Sequence, residues 1–425
     1  MEFHETKVEI ERAVLAGVQT GSLDELSDTT DSSIAELERL TDTAGAEVVG
    51  VLVQNRPIIE NATYLGEGKL EELKEACKSL EADIVIFDDE LSPMQIRNIE
   101  NALDIRVIDR SMLILDIFAR HAITKEGKLQ VELAQLKYML PRLTGKGVAL
   151  SRLGGGIGTR GPGETKLETD KRHIRTKIHK LQSELKEIKA HRDLLRTSKS
   201  RKEAYVVALA GYTNAGKSTL LNTLTGADVL AENKLFATLD PTVRGITLPD
   251  GRNVLLVDTV GFISKLPHHL IEAFKSTLEE VTFADAILNV VDASSDEYEK
   301  HIKVVNGILA GLKAEEKPTI CVFNKIDLKE SETVLPKEIE GCEFVVEISA
   351  QKEYNTDKLI ELIGEILPGK KEKVSLLIPY SDGNVLSQLH NDHNVVEEEY
   401  VAEGVRICVM LDSITYNEMR KYRCD

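Results

Sequence analysis

Tryptophan is absent from the 425 residues and aromatic side chains make up only 4%. That leaves little material for the stacked-aromatic platforms that hold single-stranded nucleic acid without regard to sequence, and so weakens a nucleic-acid role without excluding it. The five cysteines, Cys77, Cys321, Cys342, Cys408 and Cys424, form no Cys-x-x-Cys pair, so neither a disulfide framework nor a zinc site is implied. Long apolar stretches are missing too. Runs such as 205–210 and 286–288 fall far short of the ~18–20 residues needed to cross a bilayer, which argues against membrane insertion. The start, Met1-Glu2-Phe3-His4-Glu5, has neither a basic region nor an apolar core; it does not read as a secretory leader, and a cytoplasmic location is expected.

Hydrophobic residues at 42% and charged residues at 29% are close to the averages for soluble globular chains and exclude global disorder. At roughly 150 residues per domain the length suggests about three domains. The net charge of −18 hides an asymmetry: residues 137–203 carry 18 Lys and Arg against 7 Asp and Glu. On charge alone this segment is either a solvated helix surface or a contact for polyphosphate.

Strand-like runs at 13–18, 48–53, 84–87 and 105–108 alternate with helical patterns at 34–40 and 70–80, as expected of a small parallel sheet. Helices follow at 109–118 and 129–140, the second ended near Pro141. After a glycine-rich stretch at 145–163, a long amphipathic helix spans 167–195, with Ile174, Ile178, Leu181, Leu185 and Ile188 on one side. A second alternating pattern has strand candidates at 205–210, 254–257, 286–291, 319–323 and 344–348, the signature of a doubly wound α/β domain. Pro368-Gly369 breaks the chain before short strands at 374–378, 395–401 and 405–411. The expected parts are an N-terminal α/β subdomain (1–110), a helical subdomain with the glycine loop (111–202), a nucleotide domain (203–368) and a C-terminal α+β domain (369–425).

Gly211-Tyr212-Thr213-Asn214-Ala215-Gly216-Lys217-Ser218 fits G-x-x-x-x-G-K-[ST], follows an apolar strand and opens a helix. Its glycines let backbone N–H groups cradle phosphate oxygens, Lys217 reaches the β and γ phosphates, and Ser218 can ligate Mg²⁺. Asp258-Thr259-Val260-Gly261 at a later strand end supplies a carboxylate beside the metal and a glycine N–H for the γ phosphate. Asn324-Lys325-Ile326-Asp327 places a carboxylate for guanine N1–H and its exocyclic amine, with Asn324 for N7. Ser349-Ala350-Gln351 follows the last strand, where a backbone N–H meets the guanine O6. These motifs, in order at strand ends, point to a guanine-specific P-loop GTPase with a mainly parallel sheet, preceded by a small parallel α/β domain plus a long helical hairpin and followed by a small α+β tail.

The phosphate loop, Leu235-Phe236-Ala237-Thr238-Leu239-Asp240-Pro241-Thr242, Asp258-Thr259-Val260-Gly261-Phe262, and Gly155-Gly156-Ile157-Gly158-Thr159-Arg160-Gly161-Pro162-Gly163-Glu164-Thr165 together resemble the HflX family of translation-factor-class GTPases. The resemblance is strong over about residues 10–368 and weaker in the tail. It implies a GTPase that binds the large ribosomal subunit, its rRNA and proteins, and that splits or rescues stalled or idle ribosomes, acting as a monomer. A GTPase of ribosome assembly or RNA modification, or a nucleotide-stabilised RNA-binding protein without significant turnover, would share much of this sequence. By the resemblance Thr238 is the switch threonine that ligates Mg²⁺ alongside Ser218 and Asp258, with Thr242 as rival, and the neighbours Phe236, Ala237, Leu239 and Asp240 line the nucleotide. One departure is Lys166, where the family more often has Gln.

Where Ras-like enzymes orient the attacking water with Gln, this chain has Phe262. A phenyl ring cannot position water, so slow intrinsic turnover is expected, carried by Lys217, Gly261 and Thr238 and stimulated by the ribosome. Asn214 stands where potassium-stimulated GTPases hold K⁺ near the phosphates; alternatively it only shapes the loop. Gly156-x-Gly158-x-x-Gly161 follows no strand and is not a dinucleotide fingerprint. Arg142, Lys146, Arg152 and Arg160 surround it with charge, which suits close approach to RNA phosphates. Replacing Arg160 and Lys166 by Ala is therefore expected to weaken ribosome binding and flatten its salt dependence while sparing GTP affinity, as measured by co-sedimentation over a salt series; unchanged ribosome affinity would remove this loop from the contact.

Overall fold

Because strands covered on both faces read as unbroken apolar runs, the central strands of the two mainly parallel sheets of this chain follow its sequence pattern closely. The computed structural model describes residues 10–20, 30–143, 162–198, 204–226, 235–236, 242–265, 280–329, 334–369, 371–392, 394–412, 415–416 and 419–423. The glycine-rich run up to Gly161, and Ala237, Thr238, Leu239 and Asp240, lie outside them, as does the side chain of Lys166. Contacts divide the chain into two units. One comprises Met1–Ser198, Glu232–Asp240 and Val260–Leu278, and the other Lys199–Ala231, Pro241–Thr259 and Glu279–Asp425.

The first unit begins with β1 (Arg12–Gln19), α1 (Thr30–Thr43), β2 (Glu47–Asn55), α2 (Glu67–Ser79), β3 (Ile84–Phe87), α3 (Pro93–Leu103) and β4 (Arg106–Asp109). All four strands are parallel, in the order β2-β1-β3-β4. Val14, Ala16, Val85, Phe87 and Val107 pack with Leu73, Ile99 and Leu103 of the helices into its core. The apolar pattern left α3 unannounced, yet its start is written in capping chemistry: Ser92 and Gln95 bond each other's backbone N–H, and Pro93 opens the helix. Asp109 then caps α4 (Arg110–His121) and Thr124 caps α5 (Lys125–Arg142), which runs one residue past Pro141. Leu133 on α5 packs against Ile178 and Leu181 of α6 (Pro162–Ser198), the expected helical hairpin.

In the second unit β5 (Tyr205–Gly211), α7 (Lys217–Thr225), β6 (Thr242–Thr247), β7 (Asn253–Asp258), β8 (Ala286–Asp292), α8 (Tyr298–Gly311), β9 (Thr319–Asn324), β10 (Phe344–Glu347) and α9 (Thr356–Ile366) form a six-stranded sheet with its helices. The order is β10-β9-β8-β5-β7-β6, parallel except for β6, which runs against β7. β6 was not foreseen, since this edge strand is mostly exposed and lacks an apolar run. The sheet departs in opposite directions from β5, so the carboxyl ends of β5, β7, β8 and β9 face one crevice, the usual ligand position of doubly wound sheets. A three-stranded antiparallel sheet, β11 (Lys371–Ile378), β13 (Gly404–Asp412) and β12 (Asn394–Val401), packs with α10 (Gly383–Asp392) at the end of the chain.

Arg252 fastens the β6–β7 turn to the end of α9. Only 5% exposed, it donates through Nε to Asp250 at 2.6 Å and through its terminal nitrogens to the carbonyls of Leu367, Pro368 and Gly364. Arg252→Ala takes the guanidinium away from the Asp250 carboxylate and from three carbonyls and is expected to cost about 3 kcal/mol, read as a lower urea midpoint at unchanged denaturant slope.

Candidate nucleotide site

β5 delivers the phosphate loop to the crevice. Gly211 and Gly216 have φ of 150° and 92°, and a β-carbon would lie 2.3 Å from Val290 O at the first and 2.3 Å from Asn324 Nδ2 at the second. No other residue fits at either place. Asn214 between them is left-handed as well, at φ 61°. Such alternation turns successive N–H groups to one side of the chain, making an anion cradle. Gly216 provides no side-chain cap to α7, so the first N–H groups of that helix remain available to the same anion.

Lys217, 6% exposed, donates to Gly211 O at 3.0 Å and Tyr212 O at 2.8 Å. Burial pushes its ammonium down to about 8, against the pull of Asp258 in the other direction. A polyphosphate in the loop would add negative charge to that of Asp258 beside this ammonium. Ser218 Oγ donates to Asp258 Oδ2 at 2.7 Å, and Thr259 Oγ1 to Leu209 O at 2.7 Å. A hydroxyl and a carboxylate at hydrogen-bond distance are hard oxygen donors, and together with substrate phosphates they fit Mg²⁺, which is commonly held by one or two protein oxygens. Among the described residues no cluster of three or more His, Cys, Asp or Glu offers a competing metal site.

The base side is built on β9. Asn324 donates from Nδ2 to Ala215 O at 2.9 Å and accepts from Ala350 N at 3.0 Å. One amide N–H is left for the base, while the Ala350 N–H, one of the backbone donors of the Ser349-Ala350-Gln351 motif, is held by this side chain. Asp327 is exposed and its Oδ1 accepts from Ser349 Oγ at 2.6 Å, which orients the carboxylate. Lys325, left-handed at φ 64°, pairs with Asp292 Oδ2 at 2.7 Å. Ile326 is partly buried and Gln351 exposed. Two residues were missed in the sequence. Asp292 ends β8 as Asp258 ends β7, a signal that was present; Thr223, whose Oγ1 donates to Ala350 O at 2.9 Å, carries none. Tyr212 stacks on His301 at 3.9 Å between ring centres.

Phe236, Gly261 and Phe262 belong to the first unit. The Phe236 ring meets Phe118 edge-on at 4.7 Å, and Phe262 is 1% exposed, so neither ring is free to act on water.

Comparison with known proteins matches residues 31–119 to a family described as the GTP-binding GTPase N-terminal region, 121–199 to its middle region, and 206–325 to a family described as 50S ribosome-binding GTPase. GTPase HflX of Caldanaerobacter subterraneus subsp. tengcongensis is 51% identical over 397 residues, covering 93% of this chain and 90% of that protein. GTPase HflX of Escherichia coli is 43% identical over 371 residues, covering 87% of each. Among solved structures, a GTP-binding protein of Sulfolobus solfataricus in complex with GDP is 26% identical, with a TM-score of 0.46 over 84% of this chain and 98% of that one.

An amide in place of the Asp327 carboxylate can no longer accept two hydrogen bonds from guanine, but it can pair with the N1–H and 2-carbonyl of xanthine. Asp327→Asn is expected to lower GTP affinity about 100-fold or more and to favour XTP, measured by competition with a fluorescent nucleotide.

Proposed function

The chain belongs to the HflX family of GTPases, P-loop enzymes that hydrolyse GTP, and on that premise we propose that its GTP form binds the large ribosomal subunit and splits or rescues stalled or idle ribosomes. It does so in the cytoplasm as a monomer, with residues 111–202 touching rRNA. Among the described residues no helix is long and apolar enough to cross a membrane. The observation that carries the reading is the Ser218–Asp258 pair beside the buried Lys217, a constellation suited to a metal-bound triphosphate. Mg²⁺ in that position would neutralise charge on the β and γ oxygens. Lys217 holds the same oxygens as a point charge, and Gly261 reports the γ phosphate through its N–H. Thr238 would help hold the metal only while that phosphate is present, which would give two states.

Phe262 offers no water-orienting group, so acceleration has to come from outside the motif. We propose two sources: the ribosome, which orders the Thr238 segment, and K⁺ held by Asn214, which stands in for an arginine finger. The basic character of residues 137–203 supports rRNA as the surface that is met. GTP hydrolysis at fixed Mg²⁺ is expected to rise at least about tenfold when large subunits are added, and further in potassium than in sodium buffer, with Lys217→Ala as the blank. Normal GTP binding without stimulation by subunits would transfer the proposal to a partner in ribosome assembly or RNA modification. Equal rates in the two salts would remove the potassium site.

A further inference from the structure

β5 and β8 are neighbours in the six-stranded sheet, with Gly211 opposite Val290. β5 runs into the phosphate loop and β8 leads toward α8, so the segments that leave the two carboxyl ends come together. One contact between them is a pair of rings. Tyr212, 7% exposed, and His301 lie with their ring centres 3.9 Å apart and their planes 18° from parallel. Both residues belong to the second unit.

His301 stands on a fixed base. Its N–H donates to Glu297 O at 3.0 Å in the first turn of α8. On either side of it along the helix, Tyr298 meets Phe323 of β9 edge-on at 5.6 Å, and Ile302 is buried with Val291 and Phe323. The loop it touches has more freedom to lose. Gly211 and Gly216 bound that loop, and glycine gives up more conformational entropy on ordering than any other residue. Between them the Tyr212 carbonyl accepts from Ala215 N at 3.3 Å, closing a four-residue turn whose third residue, Asn214, is left-handed. The same carbonyl accepts from Lys217 Nζ at 2.8 Å. Holding the Tyr212 ring therefore holds the residue from which the turn and the lysine contact both start. Elsewhere backbone is fastened by buried charge: in the first unit Asp88, 3% exposed, lies 3.8 Å from Arg110 Nε, and the Lys265 ammonium donates to Asp88 Oδ2 at 2.5 Å and to Asp89 Oδ1 at 2.8 Å. At the phosphate loop the fastening is made through two rings.

We propose that His301 is a positioning residue for nucleotide binding, whose stack on Tyr212 keeps the phosphate loop in its anion-cradling form before a nucleotide arrives. The inference rests on the GTPase activity and goes beyond it, and it does not depend on which partner the protein serves. Order that is already in place does not have to be imposed by the ligand, so pre-organisation appears as affinity. The backbone of such a loop cradles the β phosphate, which GTP and GDP share. The stack therefore favours both nucleotides alike and leaves the chemical step to other groups. Differences of this kind among related complexes lie chiefly in dissociation.

The test uses the full chain with Mg²⁺ and compares His301→Ala with His301→Phe, which keeps a ring on α8. Alanine is the strongest helix former, so α8 is expected to remain folded in both. His301→Ala is expected to weaken GDP and a non-hydrolysable GTP analogue about fivefold each, equivalent to about 1 kcal/mol and the usual size of an aromatic pair, with GDP released correspondingly faster. Its turnover at saturating GTP stays within about twofold of wild type, because the lost interaction is shared by ground state and transition state. His301→Phe is expected to restore both affinities. Tyr212→Leu, alone and combined with His301→Ala, closes a double-mutant cycle: once the tyrosine ring is gone, removing the histidine changes GDP affinity by less than about twofold. Wild-type affinity in His301→Ala, an equal loss in His301→Phe, or additive losses in the cycle would each overturn the proposal.

Discussion

The side-chain amide of Asn324 holds the nucleotide crevice together. By donating to the phosphate loop at Ala215 and accepting from Ala350, it joins loops that follow β5 and β10 to the end of β9. Each of these loops taken alone is a short irregular segment whose buried polar groups need partners. The close packing of Gly216 on the same amide means that the phosphate and base halves of the site share one anchor. Asn324 is therefore a structural keystone as well as a candidate base contact, and a change there disturbs both halves at once.

Legibility in the sequence followed burial and locality. β1, β3, β8 and β9 are almost entirely buried, and their apolar runs announced them. β6 is an exposed edge and stayed hidden, as did α3, whose signal lies in its cap more than in its periodicity. The motif residues could be located because each sits in a short, fixed pattern of residue types at a strand end. The ionic anchors could not. Arg252 meets carbonyls more than 110 positions away, and Lys265 reaches Asp88 across 177 positions; no local pattern encodes pairings of that range. A charged residue in a loop looks alike in sequence whether it is solvated or buried against a partner.

Charge is used in two different ways along this chain. In α6 it is spread along a helix, where Lys177 meets Glu132 as a half-exposed pair, an interaction of small energetic weight. Around Arg110 and Arg252 it is concentrated in nearly dry surroundings, where a missing partner is expensive. The first arrangement suits an adaptable surface, whereas the second fixes backbone segments in place. A protein that must hold a rigid crevice while presenting a basic surface needs both.

The division of the chain into two units has a consequence during synthesis. The first unit takes in Val260–Leu278, so its carboxylates at Asp88 and Asp89 leave the translating machinery long before Lys265 is made. At about 5–20 residues per second, the 177 positions between Asp88 and Lys265 correspond to a wait on the order of ten seconds or more. Over that interval the nascent chain carries an acidic cluster short of a cation, and the N-terminal sheet reaches its final state only after the phosphate loop has appeared behind it.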